Sequence, residues 1–458
     1  MTNQNEALKT PGDGADLNQW LEYISGINPK PMELGLERMK TMIQRMDIDF
    51  ACPVITVAGT NGKGSTCAMI DSILRYAGYH TGVHTSPHLI RFNERVVIDG
   101  AEVDDARIIE AFKEVEKARG DVPLTYFEFT GLAVLHIFRR AGLDAVILEV
   151  GLGGRLDAMN AVEPSCSVVC SIDIDHSNYL GSTREEIGLE KACIYRTGKP
   201  AICTDPNPPK SLLEHAHMLM SQLYVYGRDF HTYKHHGLFD FEIDMFRPTP
   251  ETVDWRNIPM PALSGAASLQ NAAGALAALA TLNADLPITR SAVVEGLENV
   301  HIHARYETIK EADEEGASVT VDVAHNPQAA RVLAANLTAS GDPNVETWAV
   351  FGMLRDKDMQ EVSRTLLRHI DRWFVTGLPG TRGASLEELM GSMKAAGIDE
   401  TKIASFASVD EALRQALSES AQREKGSVRI VAFGSFVTAA AAYESLRHNL
   451  REGSGPAK

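Results

Sequence analysis

The stretch Val54-Ile-Thr-Val-Ala-Gly59-Thr-Asn-Gly62-Lys63-Gly64-Ser65-Thr66 reads as a buried strand, Val54–Val57, that enters a glycine-rich turn and then a helix. The helix is predicted over Ser65–Ala77, closed by Gly78. Backbone N–H groups of such a turn and of a helix start converge on one spot and cradle phosphate oxygens. A lysine there adds a positive charge, and a hydroxyl can reach a Mg²⁺ ion. Gly59, Thr60, Asn61, Gly62, Lys63, Gly64 and Ser65 are therefore the candidate nucleotide contacts. The spacing departs from GxxxxGK[ST]: two residues separate Gly59 from Gly62, and Gly64 intervenes before Ser65. The strand before the turn and the helix after it favour phosphate binding over a plain structural turn.

Outward from this point, apolar β-rich runs alternate with helix-period stretches, the sign of βαβ units and a mostly parallel sheet. Ala145–Val150 and Ser167–Ile172 are predicted strands, Glu128–Ala141 a helix, and Leu269–Leu282 another. Between about Tyr224 and Pro261, short aromatic and β-branched runs broken by Pro and Gly suggest an antiparallel meander. The rhythm restarts past Asn299, with strands expected at Ser318–Val323, Thr347–Phe351, Trp373–Thr376, Ile403–Phe406 and Arg429–Phe433. Helices are expected at Pro327–Leu337 and Val409–Ala421. The fold class is thus α/β. A P-loop-type, mostly parallel N-terminal domain over residues 1–299 is followed by a smaller Rossmann-like α/β domain over residues 300–458.

A length of 458 residues fits two or three cores, and 44% hydrophobic with 23% charged residues is ordinary for a globular protein. A net charge of −17 repels phosphate backbones and anionic lipid surfaces, so neither nucleic acid nor membrane is expected as a partner. The six cysteines form no CxxC pair and stand mostly among apolar residues, as buried thiols of a reducing compartment do. No apolar run reaches the ~20 residues that span a bilayer, and the polar start lacks a signal pattern. A cytoplasmic location is expected.

Glu149 ends one apolar strand and His176 follows another, which sets both at the carboxyl edge of the sheet beside the phosphate turn. Several further segments, in order, carry a resemblance. They are Leu34-Gly-Leu-Glu-Arg38, His84-Thr-Ser-Pro-His-Leu-Ile-Arg-Phe-Asn-Glu-Arg95, Glu149-Val-Gly-Leu-Gly-Gly-Arg-Leu-Asp157, Asp175-His176 and Glu190-Lys191-Ala192. Asp322-Val-Ala-His-Asn-Pro327, Phe351-Gly-Met-Leu-Arg-Asp-Lys-Asp358 and Gly434-Ser-Phe436 follow. With GTNGKGS, this set resembles the folylpolyglutamate synthase family of the muramyl ligase superfamily, from about Leu34 to Ala439.

The resemblance implies an ATP- and Mg²⁺-dependent ligase that joins L-glutamate to a folate-type carboxylate through an acyl phosphate. It implies Mg²⁺ ligands at Ser86, Glu149 and His176, joined by Ser65, and a carbamylated Lys191. Lys191 by itself reads as a helix-surface lysine, whereas carbamylation requires a neutral amine. Asn271, Arg305 and Asp322 match nucleotide contacts across the domain gap, and His325 and Lys357 match positions that place glutamate or the intermediate. For a pterin, the resemblance points to Thr125, Tyr126, Phe127 and Glu128, with Leu34, Leu156, Asp157 and Ala158. Phe127 could offer a stacking face and Asp157 an acceptor. Phe127 and Phe129 read equally as core residues of a buried helix.

Two departures stand out. The family's Pro-Gly-Arg-Phe-Gln is His303-Ala304-Arg305-Tyr306-Glu307, and its Gly-Arg-His is Gly265-Ala266-Ala267. The expected substrates are 7,8-dihydropteroate, reduced folates and L-glutamate, and a monomer is expected. The alternatives are polyglutamylation alone and a P-loop ATPase or kinase that forms no amide. A ligase acting on a cell-wall nucleotide would need a domain ahead of the turn, for which the 58 residues before Gly59 are too few.

Overall fold

Strand Val54–Ala58 (β1) is buried at every residue, as expected for a β-branched run with neighbours on both edges and helices on both faces. The computed structural model describes residues 9–28, 30, 33–244, 253, 255–312, 316–339, 342 and 344–452. Contacts divide the chain into two compact units. One comprises Met1–Ile174, Leu180–Ala262 and Leu269–Val300; the other comprises Asp175–Tyr179, Leu263–Ser268 and His301–Lys458.

In the larger unit, β1 is followed by Thr81–His84 (β2), Val97–Ile98 (β3), Ala101–Glu102 (β4), Ala145–Glu149 (β5), Cys166–Val169 (β6), Pro200–Cys203 (β7) and Gln222–Val225 (β8). They form one eight-stranded sheet in the order β4-β3-β2-β5-β1-β6-β7-β8. All pairings from β2 to β8 are parallel, and β3 and β4 add an antiparallel edge. A core around Trp20, Phe112, Phe129 and Phe138 covers one face over β1 and β5. Ile187, Tyr195 and Leu212 continue it on the same face over β6 and β7.

The predicted strand to Ile172 ends at Val169. Beyond it the backbone leaves the ladder, and the Ser171 carbonyl accepts the Thr60 N–H at 2.7 Å. The meander is an antiparallel sheet of Phe230–His235 (β9), Leu238–Ile243 (β10) and Trp255–Pro259 (β11). Tyr224 lies before it, in β8, and residues 245–252 and 254 of the expected meander lie outside the described residues.

The smaller unit contains Glu307–Lys310 (β12), Ser318–Val321 (β13), Glu346–Phe351 (β14), Arg372–Thr376 (β15), Ile403–Phe406 (β16) and Val428–Phe433 (β17). Their order is β12-β13-β17-β14-β15-β16, parallel except for β12. Phe351, Trp373 and Phe433 pack together in its core. The strand predicted to Val323 stops at Val321, where the Asp322 carboxylate accepts the Ala324 N–H and turns the chain. Among the described residues no helix is long and apolar enough to cross a membrane.

Candidate active site

After β1 the chain goes out on one side through β2, β3 and β4, returns to place β5 beside β1, then crosses to the other side for β6. The strand order reverses at β1, so the loops leaving β5, β1 and β6 flank a crevice at the carboxyl edge, where open α/β sheets bind ligands. The glycine-rich turn fills that position. Gly62 caps helix Lys63–Tyr76 at φ +90°, and a Cβ there would come within 2.5 Å of Asn271 Oδ1, so only glycine fits. No side chain caps this helix start, which leaves its first N–H groups for an anion. The turn is pinned from the β6 side: Thr60 Oγ1 donates to the Asp173 carbonyl at 2.9 Å, and the Asn61 N–H donates to Ser171 Oγ at 3.3 Å. Lys63 Nζ folds back on its own loop, donating to the carbonyls of Gly59 (3.1 Å) and Thr60 (3.3 Å). It stands 4.0 Å from Glu149 Oε1.

Glu149, at the end of β5, is buried and accepts the Ser86 N–H at 3.2 Å. The Ser86 hydroxyl beside it is buried without a hydrogen-bond partner. A buried hydroxyl with nothing to bond, next to a carboxylate, is the kind of hard oxygen donor pair that suits Mg²⁺. The residues present therefore fit the ion.

Lys191 lies on helix Arg184–Ala192 and is buried, unlike the surface lysine its local sequence suggests. Loop residue Arg155 donates its N–H to the Glu190 carbonyl at 2.9 Å, covering this turn of the helix. Cys170 sits where several charges overlap. Burial pushes its thiol up to about 11; the Thr66 hydrogen bond and the charges of Lys63 and Lys191 lower it, and Glu149 raises it. The turn lysine, the carboxylate and Lys191 thus all act on this thiol.

The segment 125–128 divides in its roles. Thr125 caps helix Tyr126–Arg139 and donates its N–H (2.8 Å) and hydroxyl (2.9 Å) to Glu128 Oε2. Glu128 also receives Arg38 Nε at 3.0 Å, so both residues are committed to the fold. Asp157 accepts the N–H groups of Leu152 and Met159, each at 2.9 Å, and burial raises its carboxyl to about 6. Ala158 is buried behind it, Leu156 is half-buried, and Leu34 is exposed. Phe127 differs from these: its ring lies over Gly151, where a Cβ would come within 2.6 Å of Cζ. Burial raises the half-buried Tyr126 hydroxyl, and Arg95 partly offsets this.

In the smaller unit, Asp175 collects Lys357 Nζ at 2.6 Å, Asn326 Nδ2 at 3.0 Å and His325 Nε2 at 3.6 Å. Burial would raise this carboxyl, but the nearby His325 ring and the Lys357 charge outweigh it and hold it far below the usual range. His176 belongs to this cluster, with Nε2 3.2 Å from Lys357 Nζ. Arg305 lies over the Phe436 ring at 5.7 Å. Burial raises Asp322 to about 6, against the lowering effect of Arg305 and of the Ala324 and Tyr306 N–H groups.

Two residues gained no role from sequence. His84, at the end of β2, has Nδ1 2.8 Å from the Arg95 carbonyl, while its buried Nε2 has no partner. Burial lowers it to about 4, so at neutral pH it is an uncharged acceptor, its ring 6.1 Å from that of Phe127. Its only sequence signal is a histidine closing an apolar strand. Asp175 adjoins His176 in sequence, but its partners lie some 150 to 180 residues away, at Asn326 and Lys357.

Residues 57–279 match the family model of the Mur ligase middle domain, and residues 304–436 match that of the Mur ligase glutamate ligase domain. The dihydrofolate synthase/folylpolyglutamate synthase of Escherichia coli K12 is 40% identical over 383 residues, covering 83% of this chain and 86% of that protein. The Haemophilus influenzae protein of the same name is 37% identical over 438 residues, covering 93% and 96%. The solved structure of E. coli FolC in complex with DHPP and ADP superposes with a TM-score of 0.87 at 37% identity, over 96% of this chain and all of that one. A bifunctional folylpolyglutamate synthase/dihydrofolate synthase with Mn, AMPPNP and L-glutamate bound gives 0.85 at 36% identity, with coverages of 96% and 100%. The two α/β units and the phosphate turn are those of a Mur ligase, an ATP-dependent amide-forming enzyme that uses a divalent metal. Within that class, the chain belongs to the dihydrofolate synthase/folylpolyglutamate synthase family.

Proposed function

We propose that this ligase joins L-glutamate to 7,8-dihydropteroate and also extends reduced folates. The supporting observation is the Phe127 ring over Gly151, two residues beyond Glu149, which sets an aromatic face beside the carboxylate and the phosphate turn. In the reaction, an acceptor carboxylate oxygen attacks the γ-phosphorus of ATP and the β,γ-bridging P–O bond breaks, giving an acyl phosphate and ADP. The glutamate amine then attacks the acyl carbon, loses a proton, and phosphate leaves. Lys63 exchanges its loop carbonyls for phosphate oxygens, and Asn271, Arg305 and Asp322 hold the nucleotide. Ser65, Ser86, Glu149 and His176 would hold Mg²⁺, which when bound neutralises charge on the β- and γ-phosphates. His325 and Lys357 orient glutamate.

Lys191 carries a carbamate in this reading: its neutral amine adds CO₂ and releases a proton, turning a buried cation into an anion. Residues 1–299 serve the nucleotide and pterin, residues 300–458 serve glutamate, and the protein works as a cytoplasmic monomer. ADP release with ATP, Mg²⁺ and glutamate, measured separately with dihydropteroate and tetrahydrofolate, tests the assignment. Turnover with both is expected, with Phe127→Ala losing roughly 10–100-fold more with dihydropteroate. Silence with dihydropteroate alone reduces the reading to polyglutamylation; turnover indifferent to both acceptors removes it. An intact mass lacking one CO₂ in an active, ATP-bound protein defeats the carbamate.

A further inference from the structure

Between His301 and Glu307, two imidazoles and a carboxylate meet. His301 Nε2 and His303 Nδ1 lie 3.3 Å apart, His303 Nδ1 and Glu307 Oε1 3.3 Å, and His301 Nε2 and Glu307 Oε1 3.6 Å. These are the edges of a nearly equilateral triangle. A tetrahedral ion with bonds of about 2.0–2.1 Å has ligand edges of about 3.3 Å, whereas octahedral geometry at that length requires about 3.0 Å. We propose that His301, His303 and Glu307 bind one tetrahedral divalent ion of the zinc class, its fourth position taken by water.

The donor set agrees: two imidazole nitrogens and one carboxylate oxygen suit Zn²⁺, whereas Mg²⁺ favours a shell mostly of oxygens. Glu307 is oriented for this. Its other oxygen, Oε2, accepts the Ala304 N–H at 2.8 Å and the Tyr443 hydroxyl, leaving Oε1 turned to both rings. Tyr443 also lies edge-on to the His303 ring at 5.4 Å, and its hydroxyl, 3.3 Å from Nδ1, gives up that contact to the ion while keeping Glu307. Such outer partners fix ligand orientation and tune affinity. The three ligands fall within seven residues, so little chain entropy opposes their meeting. His301 and His303 are exposed, which gives the ion a path in and the water a place. Since Arg305 lies between His303 and Glu307, an ion there ties both ends of its loop.

The test uses the full chain stripped of metal by chelation. Titration with Co²⁺ should give the intense visible absorption of a tetrahedral centre at one equivalent, and Zn²⁺ should displace it. Zn²⁺ affinity, measured against a chromophoric chelator, should fall roughly 100-fold or more in His303→Ala and Glu307→Gln, and about 10-fold in Tyr443→Phe. His217→Ala, at an exposed histidine elsewhere, should leave it unchanged. His301→Asn, at a surface position, repeats the test should a Glu307 variant fail to fold. An octahedral Co²⁺ spectrum, or wild-type Zn²⁺ affinity in His303→Ala and His301→Asn, would show that the three side chains form only a hydrogen-bonded cluster.

Discussion

Around the phosphate turn, polar groups are held in contacts they can give up; in the segment predicted for the pterin, they are locked into the fold. Lys63 bonds carbonyls of its own loop, and the Ser86 hydroxyl is buried without a hydrogen-bond partner. Thr125, Glu128 and Asp157, by contrast, cap helices, hold Arg38 and close turns. Motif residues of one family thus fall into two kinds: those whose bonds wait for a ligand, and those whose bonds build its walls. At the pterin end Phe127, over Gly151, and His84, with an unused acceptor, remain open to a ligand.

The contrast breaks most readily at Lys63. Lys63→Ala should cut kcat by about 10²–10³-fold while stability changes by less than ~1 kcal/mol, read by ADP release and urea unfolding. Near-normal turnover would end the comparison. Glu128→Gln should do the reverse, losing about 2–3 kcal/mol because Arg38 is left without a charged partner at its Nε. Calorimetry on this variant, set against kcat of the protein still folded, shows whether Glu128 is a wall or a contact.

Asp157 gives a pH signature. Its folded value near 6 lies above the ordinary 3.8, so its contribution to stability is fully present below about 3.8 and is lost as pH rises through about 6. Urea midpoints across that window should fall less steeply for Asp157→Asn than for wild type; parallel curves would mean that Asp157 titrates normally. The smallest effect is expected at Ala304, an L-residue at φ +58°, where glycine should add about 0.5–1 kcal/mol. A loss would show that the methyl group packs well enough to outweigh its backbone.

Sequence reading reached the architecture because β1 is a run of apolar and β-branched residues that meets glycines, and such a pattern has few other solutions. It placed the helix start two residues late, since Gly64 is a poor helix former and the cap is Gly62 itself. The burial of Lys191 was not legible: helix Arg184–Ala192 looks polar along its length, and its cover comes from the loop at Arg155. The split between Phe127 and its neighbours was equally hidden. Thr125 and Glu128 form a recognisable capping pair, but the Arg38 that makes Glu128 architectural lies 90 residues away. The assembly of Asp175 with Lys357 depends on a separation longer still.

Ala304 and Tyr306 both sit in the left-handed region, at φ +58° and +52°, where neither residue would settle by itself. Their bend is imposed from outside: Glu307 accepts the N–H of Ala304, and Asp322 accepts that of Tyr306. The loop around Arg305 is therefore sprung like a latch against two carboxylates. Whatever draws either carboxylate away, such as a proton at Asp322, loosens the catch and registers first in the aim of the guanidinium.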